Sequence, residues 1–298
     1  MEHLLACRLL DVTETCGTKI DRVIGLKFPA YHIQHPDKVL WVLHQHRGAF
    51  DLWSGPNCDL GHYPNGRAIR DGIDHVEKKL LGEAGAVYAN SKNVATRLEK
   101  YSGIASTPLY HPPEGAERFY CSDAGDYFYY PSRICVMKRQ ELVLRALAEC
   151  KADVRVIFSG HPDSPDYYNE LKTLTTRLKL DQRVQWLGAV SEEDKLRLYA
   201  ESRAILYVPI DEDYGYITLE SFLAGKPLIC CTDSGGPLEF IEDSVNGWVS
   251  EPTPGHLAKI LDEAWNQRSA CKAFGMAGNA KLNAMDITWK KVVSTLTK

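Results

Sequence analysis

The 298-residue chain reads as an α/β protein in two halves. Short apolar runs of strand length alternate with segments whose apolar residues recur at helical spacing, which implies parallel sheets joined by helical crossovers. The alternation is interrupted once, by the polar and aperiodic stretch Glu114–Gly125 behind Pro112-Pro113. The length suffices for two domains with substantial cores.

The first half opens with a helix carrying Leu4, Leu5, Leu9 and Leu10, then a Gly-containing turn. Asp21–Leu26 reads as a strand, and Lys38–Leu43 as a second that runs straight into His44-Gln45-His46-Arg47. A loop with the turn clusters SGPNCD and HYPNG leads to a helix around Asp74–Gly85 and a strand at Ala86–Ala89. Ser91 suits the N-cap of a helix to Tyr101, and Thr107–His111 is a further strand. The second half gives strands at Tyr127–Ser132, Val154–Ser159 and Val184–Leu187, with helices at Gln140–Cys150, Tyr167–Leu178 and Glu192–Ala200. After the helix Pro254–Gln267, the tail ends in an amphipathic helix near Ile287–Leu296. The expected domains are 1–122, 123–280 and a closing segment 281–298.

Composition is that of an ordinary globular protein, 44% hydrophobic and 25% charged. A net charge of −4 gives no reason to expect nucleic acid as partner. No apolar run approaches the roughly 20 residues of a membrane span, and MEHLLACRLLDVTE lacks a basic segment and cleavage site. Nine scattered cysteines without a C-x2-C pair fit a reducing compartment and neither a disulfide framework nor a zinc site. The expectation is cytoplasmic.

The densest signal runs from Ala204 to Val249. Ala204–Pro209 is a strand, Asp211–Gly215 an acidic loop, and Tyr216–Ala224 a helix ending at Gly225 with Pro227 beyond. Leu228–Cys231 is another strand, Gly235-Gly236-Pro237 opens a further helix, and Asn246-Gly247 turns the chain before Trp248. Glu212 and Glu220 are spaced E-x7-E, flanking a helix start at Gly215 and Tyr216 where unpaired N–H groups favour an anion. Carboxylates that accept hydroxyl hydrogen bonds on either side of an anion site suit a nucleotide sugar. The spacing alone fits an ordinary βα unit with acidic loop residues equally well.

The run E-DYGYITLE-S-FLAGKPLI, followed by D-S-GG-PLEFI and NGWV, resembles the donor domain of retaining glycosyltransferases of family 4. The resemblance extends, with decreasing clarity, from about Asp21 to the C-terminus. It implies the GT-B fold, two Rossmann-like domains facing a cleft, with the last helix crossing back to the first domain. It assigns donor-sugar hydroxyls to Glu212 and the ribose diol to Glu220; Gly215, Tyr216 and Ile217 are further donor-binding candidates. Arg133 and Lys138, in SRICVMKR, match the family's diphosphate-binding Arg and Lys, and two cations there would neutralise charge on the leaving nucleotide. Arg139 reads as a solvated basic residue. His44, directly after a strand, matches a family His that contacts the donor sugar, and His46 and Arg47 are further candidates. Gly188, Ala189 and Val190 fall where the family binds the base through backbone groups. Gly235 and Gly236 form either a close-approach loop against the donor, with Glu239 nearby, or a tightly packed βα turn.

Asp211-Glu212-Asp213 spells D-x-D, which in another glycosyltransferase fold holds a metal. In a GT-B frame Arg and Lys take the metal's place, so no metal and no cofactor is expected. No nucleophile elbow, Walker A sequence or G-x-G-x-x-G is present.

The expected activity is retaining transfer of a sugar from a UDP-, GDP- or similar nucleotide sugar to an acceptor hydroxyl on a glycan or glycolipid. Alternatives are a non-catalytic nucleotide-sugar-binding subunit and a GT-B epimerase. The N-terminal domain reads as shortened, which predicts self-association or a partner chain through residues 1–45. Peripheral membrane contact stays open.

Overall fold

The computed structural model describes residues 2–298. In chain order the first elements are α1 (Glu2–Leu9), a hairpin of β1 (Glu14–Thr15) and β2 (Thr18–Lys19), β3 (Val23–Lys27) and β4 (Lys38–His44). They continue with α2 (Gly66–Leu80), β5 (Ala86–Ala89), α3 (Lys92–Ser102) and β6 (Thr107–Pro108). A second series runs β7 (Phe128–Pro131), α4 (Gln140–Glu149), β8 (Val156–Ser159), α5 (Pro165–Arg177), β9 (Val184–Trp186) and α6 (Glu192–Glu201). Then come β10 (Ala204–Leu206), α7 (Tyr216–Leu223), β11 (Leu228–Cys231), β12 (Gly247–Ser250), α8 (Pro254–Asn266), α9 (Arg268–Ala284) and α10 (Trp289–Leu296). The chain divides into two compact units, Met1–His111 with Thr288–Lys298, and Pro112–Ile287.

The first unit is built on a parallel sheet in the order β3-β4-β5-β6. β4 is its centre: Val39, Leu40, Trp41 and Val42 are all buried, as expected of a strand covered on both faces. One face packs Leu40 and Val42 against Val94 and Leu98 of α3. The other packs Val39 and Trp41 against Val292 and Leu296 of α10. The closing amphipathic helix is thus part of the first unit's core.

The second unit carries a six-stranded parallel sheet in the order β12-β11-β10-β7-β8-β9. Its central strands are apolar throughout, with Phe128, Tyr129, Ala204, Ile205, Leu206, Leu228 and Ile229 fully buried.

Three elements depart from the expectations. α2 starts at Gly66, inside the HYPNG cluster, because Gly66 packs where a Cβ would lie 1.9 Å from the Leu60 carbonyl. Gly236–Glu239 makes only a single 3-10 turn instead of a helix. α9 is a 17-residue helix that the apolar spacing does not announce. It packs through glycine rather than large side chains: a Cβ on Gly275 would lie 2.0 Å from the Gly225 carbonyl oxygen.

Candidate active site

From β7 the second sheet grows outward through β8 and β9, then the chain returns to the other side of β7 and grows through β10, β11 and β12. The strand order therefore reverses between β7 and β10. Loops leaving the carboxyl ends of two such strands diverge, and the crevice between them is where open α/β sheets bind ligands. Arg133 and Lys138 follow β7, while Tyr207 and Glu212 follow β10.

These residues meet. Lys138 donates from Nζ to Glu212 Oε2, and to the Tyr207 oxygen at 3.0 Å. Tyr207 in turn donates its O–H to Glu212 Oε2 at 2.7 Å. Burial, reinforced by the Glu212 charge, holds the Tyr207 hydroxyl well above the usual tyrosine range, so it stays a donor. Arg133 is exposed and bonded to Asp163 at 2.8 Å. Arg139 is not the solvated residue expected. Its guanidinium bonds both oxygens of Asp233 at 2.7 and 2.8 Å and the carbonyls of Val208 and Pro209, clamping the β10 loop.

Across the same loop, Glu220 on α7 accepts from the Tyr199 hydroxyl at 2.5 Å and faces Lys195 Nζ at 3.5 Å. Burial opposes the Lys195 charge, but Glu220 and Glu192 outweigh it and raise its pKa. The carboxylate is thereby oriented from α6 before any ligand arrives. Between the two acids, Gly215 starts α7 at φ +82°, a left-handed conformation that glycine adopts without strain. It has no side chain to cap the helix, and beside it Tyr216 is exposed and Ile217 half-buried.

The β10 and β11 loops are laced together. Glu212 N–H donates to Ser234 O at 3.0 Å, and Gly236 N–H donates to Glu212 O at 2.8 Å. A Cβ on Gly236 would lie 2.7 Å from the carbonyls of Asp213 and Tyr214. Close backbone packing thus accounts for glycine there, with Gly235 just before it and Glu239 closing the 3-10 turn. Gly188, followed by Ala189 and Val190, leaves β9 and accepts through its carbonyl from Gly160 N–H at 2.7 Å.

The remaining candidates belong to the first unit. His44 ends β4 with Nδ1 2.9 Å from the Gln45 carbonyl. His46 packs edge-on to Phe28, with Nε2 3.9 Å from Asp59. Arg47 bonds Asp51 through Nε and Nη2. Among the described residues no three His, Cys, Asp or Glu side chains come together to hold a metal ion.

Tyr207, Tyr199 and Lys195 escape a reading of spacing alone. Tyr207 sits in an apolar strand run and passes for core. Lys195 and Tyr199 are four apart, hence on one face of α6, but nothing in that helix announces Glu220 as their partner.

Residues 122–281, just over half of the chain, match the family model described as Glycosyl transferases group 1. The chain belongs to this family. Among group 1 relatives, the human protein "Alpha-1,3/1,6-mannosyltransferase ALG2" is 32% identical over 120 residues, covering 40% of this chain and 29% of the human one. The chain thus matches well under half the length of that relative. Among solved structures, Anabaena Alr3699/HepE in complex with UDP and glucose superposes with a TM-score of 0.70 at 23% identity, over 88% of this chain and 71% of that one. Sucrose-phosphate synthase from Thermosynechococcus elongatus gives 0.77 at 14% identity, over 93% and 72%. The group 1 chain accordingly has the GT-B fold, with two α/β units on parallel sheets.

Proposed function

We propose that this chain is a retaining, metal-independent glycosyltransferase of family 4 that moves a sugar from a nucleoside-diphosphate sugar to an acceptor hydroxyl. The observation that carries this is the pair of pre-oriented carboxylates on either side of one helix start: Glu212 held by Lys138 and Tyr207, and Glu220 held by Tyr199 and Lys195. Carboxylates on either side of a helix start suit hydroxyls at both ends of a nucleotide sugar, with the diphosphate between. Glu220 accepts the ribose diol. Lys138 and Arg133, with the helix start at Gly215, hold the diphosphate and stabilise charge as the glycosidic C–O bond breaks. Glu212 positions the sugar hydroxyls, and His44 is the further candidate for a donor-sugar contact. The acceptor hydroxyl adds to the anomeric carbon on the face the nucleotide leaves, which retains configuration. The cations supply the electrostatic stabilisation that a metal gives elsewhere.

The acceptor class is a glycan or glycolipid, and the expected compartment is the cytoplasm with peripheral membrane contact. Among the described residues no helix is long and apolar enough to cross a membrane. Self-association, or a partner chain, engages residues 1–45. A non-catalytic donor-binding subunit is the alternative. The test is mass spectrometry of products after incubating the chain with UDP- and GDP-sugars, candidate glycolipid acceptors and EDTA. A sugar-mass increment on an acceptor supports transfer. Binding without product in any combination favours the subunit, and full loss with EDTA restored by Mn²⁺ overturns metal independence.

A further inference from the structure

The donor candidates occupy the carboxyl ends of the second sheet; a separate group of cations gathers at its amino ends. Arg203 immediately precedes β10 and Lys226 lies just before β11, while Arg268 and Lys272 stand in the first turns of α9. All four line one hollow of about 680 Å³, together with Asp123 and Cys271. Arg203 and Arg268 also line an adjoining hollow of about 400 Å³.

Two of these cations are buried. Lys226 is 4% exposed, and its Nζ donates to the Ser122 carbonyl at 2.8 Å, with no carboxylate in ion-pair range. Burial holds its ammonium below the usual lysine range. Arg203 is 3% exposed. Its two terminal nitrogens bond Trp265 O and Asp126 at 2.6 Å each, and its buried Nε has no hydrogen-bond partner. Asp126 is shared with Arg268, so one carboxylate serves two guanidinium groups. Lys38 of the first unit, equally buried, keeps Glu83 at 3.6 Å.

Taking an ammonium or guanidinium out of water costs several kcal/mol unless it is paired. Four cations against Asp123, Glu201 and the shared Asp126 leave one positive charge in excess, in a cavity whose floor is tightly packed. Gly275 of α9 packs directly on the Gly225 carbonyl beside Lys226, and Arg203 stacks on Trp265 with its guanidinium carbon 3.9 Å from the ring centroid.

We propose that this hollow is a second binding site, for a soluble molecule bearing a phosphate group, held by Arg203, Lys226, Arg268 and Lys272 at the opposite end of the sheet from the donor site. Guanidinium and ammonium donors together match the geometry and charge of a phosphate dianion. The volume exceeds that of inorganic phosphate and leaves room for a sugar-sized body. The site does not depend on the donor assignment.

The test is calorimetric titration of inorganic phosphate into the full chain carrying Lys138→Ala, which weakens phosphate binding at the donor end, at constant ionic strength in chloride. Saturable binding is expected. Adding Arg268→Gln and Lys272→Gln, both exposed positions, weakens it about tenfold or more while the ligand-free melting temperature holds. Lys226→Met weakens it comparably, and phosphate slows amide exchange at 121–126 and 268–272. Absence of saturable binding up to about 20 mM overturns the proposal. So does an affinity unchanged by the double substitution, or binding only to vesicles containing phosphatidylglycerol.

Discussion

Lys138 and Glu212, 74 residues apart in sequence, form an ion pair at the point where the second sheet reverses its strand order. Both are residues proposed to hold a donor, and here each neutralises the other. On the proposed donor site, a diphosphate would compete with Glu212 for the Lys138 ammonium, and the Tyr207 hydroxyl would remain as a donor to Glu212.

Lys138→Ala is therefore expected to weaken nucleoside diphosphate binding about tenfold to a hundredfold. Tyr207 still holds Glu212, so the unfolding midpoint should move little. Calorimetry and urea denaturation on the same variant check this. Undiminished affinity would remove Lys138 from the donor site.

Gly215→Ala tests the start of α7. Alanine would be held at φ +82°, with its Cβ 2.8 Å from Pro237 Cγ. A loss of about 1–3 kcal/mol in unfolding free energy is expected from the backbone conformation and the contact. Urea midpoints give the answer, and an unchanged midpoint would mean the loop relaxes freely.

Glu77 gives the first unit a pH signature. It is fully buried and accepts from Tyr31, from Gln45 at 2.6 Å and from Ser102 at 3.4 Å, and no cation lies among its hydrogen-bond donors. Burial outweighs those bonds and pushes its carboxyl up to about 7 from an ordinary 4.5. The folded chain thus keeps a proton that the unfolded chain has released, and stability falls as pH rises from about 4.5 to about 7, then levels. His32 and His111 act in the opposite sense, lowered by burial to about 4. The comparison that isolates Glu77 is with Glu77→Gln. The wild type should lose on the order of 2–3 kcal/mol relative to this variant between pH 5 and 8. A difference that stays flat across that range would contradict the assignment.

The first unit's outer edge motivates a prediction about association. β3 is the terminal strand of its sheet, and Ile24 and Leu26 on it are 37% and 40% exposed. α1 leaves Leu5 and Leu9 exposed as well, with only Leu4 buried, and Leu10 just beyond it is also exposed. An open edge beside apolar side chains invites pairing with another chain. Light scattering at micromolar concentration should show self-association that Leu26→Lys reduces. A monomer throughout, with unaided sugar transfer, would contradict it.

The central strands can be read from the sequence because burial on both faces leaves near-continuous apolar runs, as at Val39–Val42 and Leu228–Cys231. Glu212 and Glu220 are legible through their E-x7-E spacing around a glycine helix start, and Arg133 and Lys138 through the resemblance to the family's motif. What supports them does not stand out. Tyr207 looks like core, Arg139 like a surface cation, and Tyr199 with Lys195 like an ordinary helix face, because their partners come from 5 to 94 residues away. α9 is hidden for another reason: its contacts run through Gly275 and Gly278, which add nothing to an apolar pattern.

The measurement closest to the central claim is calorimetric titration of UDP, GDP, UDP-glucose and GDP-mannose into the wild type, Glu220→Ala and Glu212→Ala. At least one nucleotide sugar should bind the wild type. Glu220→Ala should weaken both that sugar nucleotide and its free diphosphate about tenfold or more, because the ribose contact is common to both. Glu212→Ala should chiefly weaken the sugar nucleotide. Equal loss of the plain nucleoside diphosphate in both variants, or no nucleotide binding to the wild type, would contradict a donor site built on these two carboxylates.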